Sequence, residues 1–396
     1  MFKCLSALML LLSVVALSAQ KPRVFLMDAD RLASLKTSYA QNDKDAAALV
    51  ADLQKKADKL LSMKPVSVMD KAITPVSGTK HDYMSQAPYF WYDSSKPNGL
   101  PYMRRDGVRN PEINKIIDHK SLDDLENAVQ TLSLAWYFTG NEKYAQKAAQ
   151  LLRYWFLEDA TKMNPNLNYS QGIPGITDGR GIGIIETRSL MNVADAIGLL
   201  RGSNAWTMAD DQGLQQWYKE YLNWLLTSKN GNEEHRAKNN HGTWFNAQAV
   251  DYALFTGDMA KAHALAEEAK QRIDSQINGQ GQMKLELERT AALSYSTFNL
   301  VAWSELATLA QKAGTDLWSY HNAAGSGIRK AIDWLRPFAV GDKKWEYQQI
   351  NNYNKGEAYE LLLYAAFNYK DNSYLADADR TGRKGTDLLL DMLLRR

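Results

Sequence analysis

One local pattern is written three times along this chain, and it limits the fold more than any other feature. An apolar helical run over residues 122–138 stops at Thr139-Gly140-Asn141. A second helix follows over 142–156, with Tyr144, Ala148, Leu151 and Trp155 on one face. The pattern returns where residues 248–255 meet Thr256-Gly257-Asp258 and an alanine-rich helix over 259–277. A weaker copy runs from 357–367 through Asn368-Tyr369-Lys370-Asp371-Asn372 into a helix from residue 373. Each copy is a helical hairpin, and their irregular distances exclude a strict short-period solenoid. Further helices are expected over 28–63 (capped by Asp28 and Asp30, closed by Pro65), 187–201, 208–228, 294–314 and 317–337. No series of alternating strands is visible. The chain reads as all-α, one domain of paired helices. Pairs closing into a ring gather their loops at one end, where a groove can form.

At 396 residues, 45% hydrophobic and 23% charged, the chain can bury a sizeable core. Its 47 basic and 45 acidic residues nearly cancel, which leaves no nucleic-acid footprint. A positive potential for an anionic partner must therefore be local. The first twenty residues read as a signal peptide: Lys3, an apolar run over 8–17, then Ala16-Leu17-Ser18-Ala19-Gln20. Residues 21–396 form the mature domain on this basis, exported to the periplasm or secreted. The run is too short to span a bilayer, which takes about 20 apolar residues, and no later stretch is long enough. Cys4, the only cysteine, leaves with the leader, so no disulfide or thiolate metal site is expected.

Residues 74–114 form a long loop rich in Pro, Gly, Asp and aromatics, with Tyr83, Tyr89-Phe90-Trp91-Tyr92 and Tyr102-Met103-Arg104-Arg105-Asp106. Loops of this length inside a compact protein are usually functional or disordered, and the clustered aromatics and arginines favour function. A second irregular stretch holds Asn164 to Gln171, with Tyr169, and then Gly179-Arg180-Gly181-Ile182-Gly183. That run lacks the Lys-Ser/Thr ending and the leading strand of a phosphate loop. Its glycines instead suit a backbone passing close to a neighbour.

The chemistry concentrates in Lys238-Asn239-Asn240-His241-Gly242-Thr243-Trp244. An imidazole beside two amides suits a site that moves a proton while holding developing negative charge. The same residues also suit a capped helix start. No pair of histidines has the spacing of a zinc protease, and His235 and His241 do not share a helix face. A Gly-x-Ser-x-Gly elbow is absent. Glu186, Glu286, Glu288 and Glu305 are available to a hydrolase, but nothing pairs them. A noncatalytic sugar-binding protein would use the same aromatics. Eliminative cleavage of a uronate polymer uses Asn, His, Arg and Tyr together. Amides or Arg share the carboxylate charge, a base takes the C5 proton, and an acid protonates the departing O4. Tyr titrates near 10, so a basic Tyr needs cationic or donor neighbours, for which Arg289 and His241 are candidates.

Asn239-Asn240-His241-Gly242-Thr243-Trp244 resembles the Asn-Asn-His-x-x-Trp signature of the alginate lyase superfamily, helical-toroid polysaccharide lyases. Ser85 to Asp93, Gly99-Leu100-Pro101-Tyr102 and Arg104-Arg105-Asp106-Gly107 resemble its early aromatic motif. The segments Gly179 to Ile185 and Arg289 to Tyr295 are similar as well. The resemblance implies an (α/α) toroid of six or seven hairpins and a cleft for an anionic polysaccharide, alginate or glucuronan. It implies Asn240 and His241 at the substrate carboxylate, His241 also able to act as base, Arg289 supporting the site, and Tyr295 as acid or as both acid and base. It further implies substrate contacts from Tyr83, Tyr89, Trp91, Arg104, Tyr169, Arg180, Asn239 and Trp244. The chain departs from the family in carrying Ala291 or Ala292, and Ser294, where a second Arg and a His often stand. The chemistry as drawn needs no metal or other cofactor. The oligomeric state is left open.

Overall fold

A computed structural model describes residues 21–382. The expected leader, residues 1–20, lies outside the described residues. Helices come in hairpins: α1 (Ala29–Ala40) with α2 (Lys44–Leu60), α3 (Asp118–Thr139) with α4 (Glu142–Phe156), and α5 (Leu190–Leu200) with α6 (Met208–Thr227). After the short α7 (Lys229–His235) come α8 (Asn240–Phe255) with α9 (Met259–Gln276). The short α10 (Lys284–Leu287) precedes α11 (Ala292–Lys312) with α12 (Ile328–Ala339), and α13 (Tyr359–Tyr369) pairs with α14 (Asn372–Arg380). Six hairpins thus close an (α/α) toroid among the described residues. One wall runs α3–α5–α8–α11–α13. Arg31 of α1 lies over the Phe367 ring of α13, 4.2 Å away, and joins the first hairpin to the last.

The repeated breaks work by one device. Gly140 (φ 67°) and Gly257 (φ 80°) take the left-handed conformation that ends a helix, and Lys370 (φ 52°) does the same in the third copy. The next residue caps the following helix: Asn141, Asp258 and Asp371 accept from Lys143, Lys261 and Ser373 backbone N–H groups. The expected helix over 28–63 is two helices, because the device operates there as well. Asn42 (φ 59°) turns the chain, and the Asp43 side chain accepts from the Ala46 N–H. Two other boundaries move. Residues 181–187 wind as a tighter 3₁₀ helix ahead of α5. The expected helix over 317–337 begins only at Ile328, because Asn322 Oδ1 accepts from the Ala324 and Ser326 N–H groups and holds a turn there.

α8 is the axis of the core. Of its sixteen residues all but His241 are buried, so the helix is walled in on every side and open to a cavity at its first turn. The long loop is irregular but pinned. Within it β1 (Met84–Gln86) pairs parallel with β4 (Tyr169–Gly172), and β2 (Phe90–Trp91) pairs antiparallel with β3 (Met103–Arg104). At its base the buried Lys71 and Asp118 pair at 2.7 Å, joining the chain before the loop to the start of α3. The glycine-rich run does pass close to a neighbour: a Cβ on Gly183 would sit 2.1 Å from Ser170 Oγ in β4. No helix of the described residues is long and apolar enough to cross a membrane.

Candidate active site

The loop, β4, the 3₁₀ turn and the N-termini of α8 and α11 enclose a cavity of about 680 Å³. Asn239, Asn240, His241, Arg289 and Tyr295 all line it, although they come from segments some fifty residues apart. Five arginines (104, 109, 180, 188 and 289) and Lys120 face it against two carboxylates, Asp123 and Glu186. The nearly neutral chain therefore concentrates positive charge in one concave place, which attracts a polyanion. The N-terminus of α8 adds its partial positive charge.

Asn239 occupies the cap position of α8, but its side chain makes no cap bond and lines the cavity instead. The carboxylate that accepts there comes from elsewhere. Glu286 Oε1 accepts the Asn240 backbone N–H at 2.6 Å, and the Asn240 side-chain amide reaches Oε1 and Oε2 at 3.0 and 2.9 Å. His241 is held in turn by Glu234, whose Oε1 is 2.7 Å from Nδ1. In the neutral imidazole, a carboxylate at Nδ1 holds the proton on that nitrogen and leaves the lone pair on Nε2. No local sequence pattern ties either carboxylate to the motif. Glu234 sits seven residues before His241 on a different helix, and Glu286 lies on a helix of one turn.

Position 242 of this chain has no room for a side chain. A Cβ there would stand 1.9 Å from Arg272 Nη1 and 2.1 Å from the Ala237 carbonyl. Arg272 ties three parts of this corner together, bonding Asn246 Oδ1 at 2.7 Å, the Ala237 carbonyl at 2.5 Å and the His235 carbonyl at 2.7 Å. Gly242→Ala is expected to destabilise the fold by about 1–3 kcal/mol through overpacking, read as a lower midpoint in denaturant unfolding.

Arg289 makes a two-pronged pair with Asp106 of the loop, at 2.9 and 3.1 Å, and its guanidinium lies 3.6 Å over the Tyr295 ring. Tyr295 donates to Tyr89 Oη at 3.0 Å. The start of α11 that carries Tyr295 is set by Gln349, whose side chain accepts the Leu293 N–H at 3.0 Å. Burial and the Tyr89 hydroxyl raise the Tyr295 pKa, and the nearby Arg289 charge only partly opposes them. The phenol therefore keeps its proton at neutral pH in the free protein. Arg289 does stand beside the phenol as a cationic neighbour, but in the free protein burial outweighs its charge.

Burial also works against the charge of Asp106, yet the Arg289 bonds and charge and the Thr290 hydroxyl outweigh it, taking its pKa from 3.8 to about 2. Since the folded value lies below the unfolded one, this clamp is at full strength above the unfolded value and is lost as pH falls through the folded one. Protection of the loop amides around Asp106 against hydrogen exchange should therefore drop between about pH 4 and pH 2, and Asp106→Asn should abolish that dependence.

The remaining expected contacts divide. Tyr89, Arg104 and Arg180 line the cavity. Arg180 lies 5.1 Å over the Phe90 ring and bonds Gln171 Oε1 at 2.8 Å, while its Nε is buried without a partner. Four others do not face the cavity. Tyr83 is fully buried and donates to Glu186 Oε2 at 2.9 Å, supporting the cavity wall from behind. Trp244 is buried against Phe298, with Arg188 over its ring. Trp91 turns its Nε1 to the Val108 carbonyl, and Tyr169 sits in β4 opposite Met84. Of the four acids open to a hydrolase, only Glu186 reaches the cavity, and its Oε2 is taken by Tyr83 and Ser85. Among the described residues no cluster of three His, Cys, Asp or Glu side chains could hold a metal ion.

The sequence model of the alginate lyase family matches residues 67–345. Among solved structures, an alginate lyase from Bacteroides ovatus is 40% identical, with a TM-score of 0.89, over 94% of this chain and 99% of that one. Alginate lyase A1-III from Sphingomonas species A1 has the same fold at 15% identity, with a TM-score of 0.60 over 96% and 98% of the two chains. A variant of A1-III complexed with tetrasaccharide superposes with a TM-score of 0.61 at 16% identity, over 96% and 98%. No curated protein matches the chain.

Proposed function

This chain belongs to the alginate lyase family and is a polysaccharide lyase, and on that premise we propose that it cleaves a 1,4-linked polyuronate by β-elimination. Mannuronate-rich alginate is the first substrate and glucuronan the second. The two sugars differ at C2 and share the arrangement at C4 and C5, so one catalytic set serves both. The observation that carries the proposal is the convergence of Asn240, His241, Arg289 and Tyr295 on a single cationic cavity.

The uronate carboxylate sits at the N-terminus of α8, where Asn240 and the helix end share its charge as C5 is deprotonated. His241 Nε2, its ring oriented by Glu234, takes the C5 proton. The electron pair released forms the C4–C5 double bond, the C4–O4 bond breaks, and Tyr295 gives its proton to O4. A phenol that keeps its proton in the free protein fits the acid. Arg289 touches the Tyr295 ring and the loop through Asp106, so it holds the acid in place under a closed loop. The flanking arginines take further carboxylates of the chain. With residues 1–20 read as a leader, the enzyme acts outside the cytoplasm.

The test is the product. Elimination leaves a double bond conjugated to the carboxylate, with new ultraviolet absorbance. Hydrolysis would give reducing ends without it, and binding alone would give neither. Polymannuronate, polyguluronate and glucuronan assayed side by side rank the substrates. A protein that raises no absorbance with any of the three is not the lyase proposed.

A further inference from the structure

Beneath the catalytic asparagine lies a buried polar network that the mechanism above leaves idle. Glu286 is about 1% exposed and sits at its centre. Its Oε1 receives the Asn240 backbone N–H at 2.6 Å and the Asn299 amide at 3.3 Å. Asn299 Nδ2 also reaches Gln276 Oε1 at 3.0 Å, and Gln276 Nε2 donates to the Asn239 carbonyl at 3.0 Å. The network thus grips both asparagines of the motif from behind.

The Asn240 side chain poses a problem of direction. With Nδ2 bonded to both Glu286 oxygens, the amide turns its Oδ1, an acceptor, away from Glu286 and toward the cavity. A uronate carboxylate also only accepts, so in this orientation the two oxygens repel. Charge sharing needs the amide turned over, with Nδ2 toward the substrate and Oδ1 toward Glu286. Two facing oxygens there are tolerable only if one carries a proton.

We propose that Glu286 is a positioning residue that works as a carboxylic acid, donating its proton to Asn240 Oδ1 and so presenting the Asn240 NH₂ group to the uronate carboxylate. The other Glu286 oxygen goes on accepting the Asn240 backbone N–H, so both ends of the carboxyl are used. Burial favours the neutral acid and raises its pKa, against the Asn240 hydrogen bonds and the charges of Arg289 and His241. Lys238 and Lys284, with Ser275 and Asn299, line a cavity of about 30 Å³ behind the carboxyl. That space takes about one water, which gives the buried proton a path to exchange with solvent. Glutamine at this position has the same two ends, an NH₂ donor for Asn240 Oδ1 and an oxygen for the Asn240 N–H.

This inference rests on the lyase reading, and two measurements separate their failures. The first is the pH profile of kcat/KM on the polymer that the wild-type protein cleaves fastest. Glu286→Gln should keep activity within about tenfold at pH 6 and lose the alkaline decline, which in the wild type follows loss of the Glu286 proton. Glu286→Ala should fall by about 10²-fold at every pH, mostly in kcat, as for loss of one oriented donor. A Gln variant as poor as the Ala variant, or one that keeps the wild-type alkaline decline, overturns the proposal. The second measurement needs no substrate. The infrared difference between wild type and Glu286→Gln at neutral pH should contain a protonated-carboxyl stretch, and a carboxylate band in its place overturns the proposal even if no polyuronate is cleaved.

Discussion

Exchanging Tyr295 for phenylalanine is expected to cut turnover of polyuronate by about 10²- to 10⁴-fold and to leave the protein folded. The hydroxyl bonds a single partner, Tyr89 Oη, so its removal costs on the order of 0.5–1.5 kcal/mol of stability. The ring, its packing at the start of α11 and the Arg289 guanidinium over its face all remain. What is lost is the proton for O4, an interaction realised only as the C4–O4 bond breaks. The loss should therefore fall on kcat, with KM little changed. Tyr89→Phe is the control: it removes the acceptor beside the acid but not the acid, so its effect should be much smaller. Initial rates of absorbance increase for the three proteins, with thermal melts alongside, decide the matter. A Tyr295→Phe protein that turns over like wild type would remove the phenol from the reaction.

Much of the toroid could be read from local chemistry, because each hairpin carries its own turn signal. Gly140-Asn141 and Gly257-Asp258 announce a left-handed stop and a cap in two residues. Asn42-Asp43 performs the same two tasks, but Asn is a weaker mark than Gly and the leucine spacing runs on across it, so the break between α1 and α2 was hidden. The four catalytic candidates were legible because their side-chain types make sense only together. Their supports were not. Glu286 reaches Asn240 across forty-six positions and rides on a one-turn helix with no period to detect. Aromatic residues failed in a different way. Tyr83 and Trp244 belong to the motifs as surely as Tyr89 does, yet both are buried while Tyr89 faces the cavity. An amphipathic ring serves a core and a sugar face equally well, and only the surrounding helices decide which.

His241 offers the second large effect, and the choice of replacement separates two ways of running the reaction. In the mechanism proposed, Nε2 takes the C5 proton because Glu234 holds the hydrogen on Nδ1. Glutamine keeps a donor for Glu234, so that buried carboxylate is not left bare, a loss that would cost about 1–3 kcal/mol. The second hydrogen of the same NH₂ group remains for a substrate carboxylate, and the amide has no useful basicity. If His241 is the base, His241→Gln should lose about 10²- to 10⁴-fold in kcat and resemble His241→Ala. If Tyr295 performs both steps from one ring face, as the shared C4 and C5 arrangement of mannuronate and glucuronate permits, His241 only holds the carboxylate. Glutamine would then restore activity to within a few-fold of wild type, while alanine would not. Tyr295 would in that case have to give up its proton first, against the burial that raises its pKa, and the rate should climb steeply with pH. Single-turnover rates of both variants between pH 6 and pH 9 therefore assign the base: a flat, deep loss in both points to the imidazole, and a glutamine rescue that grows with pH points to the phenol.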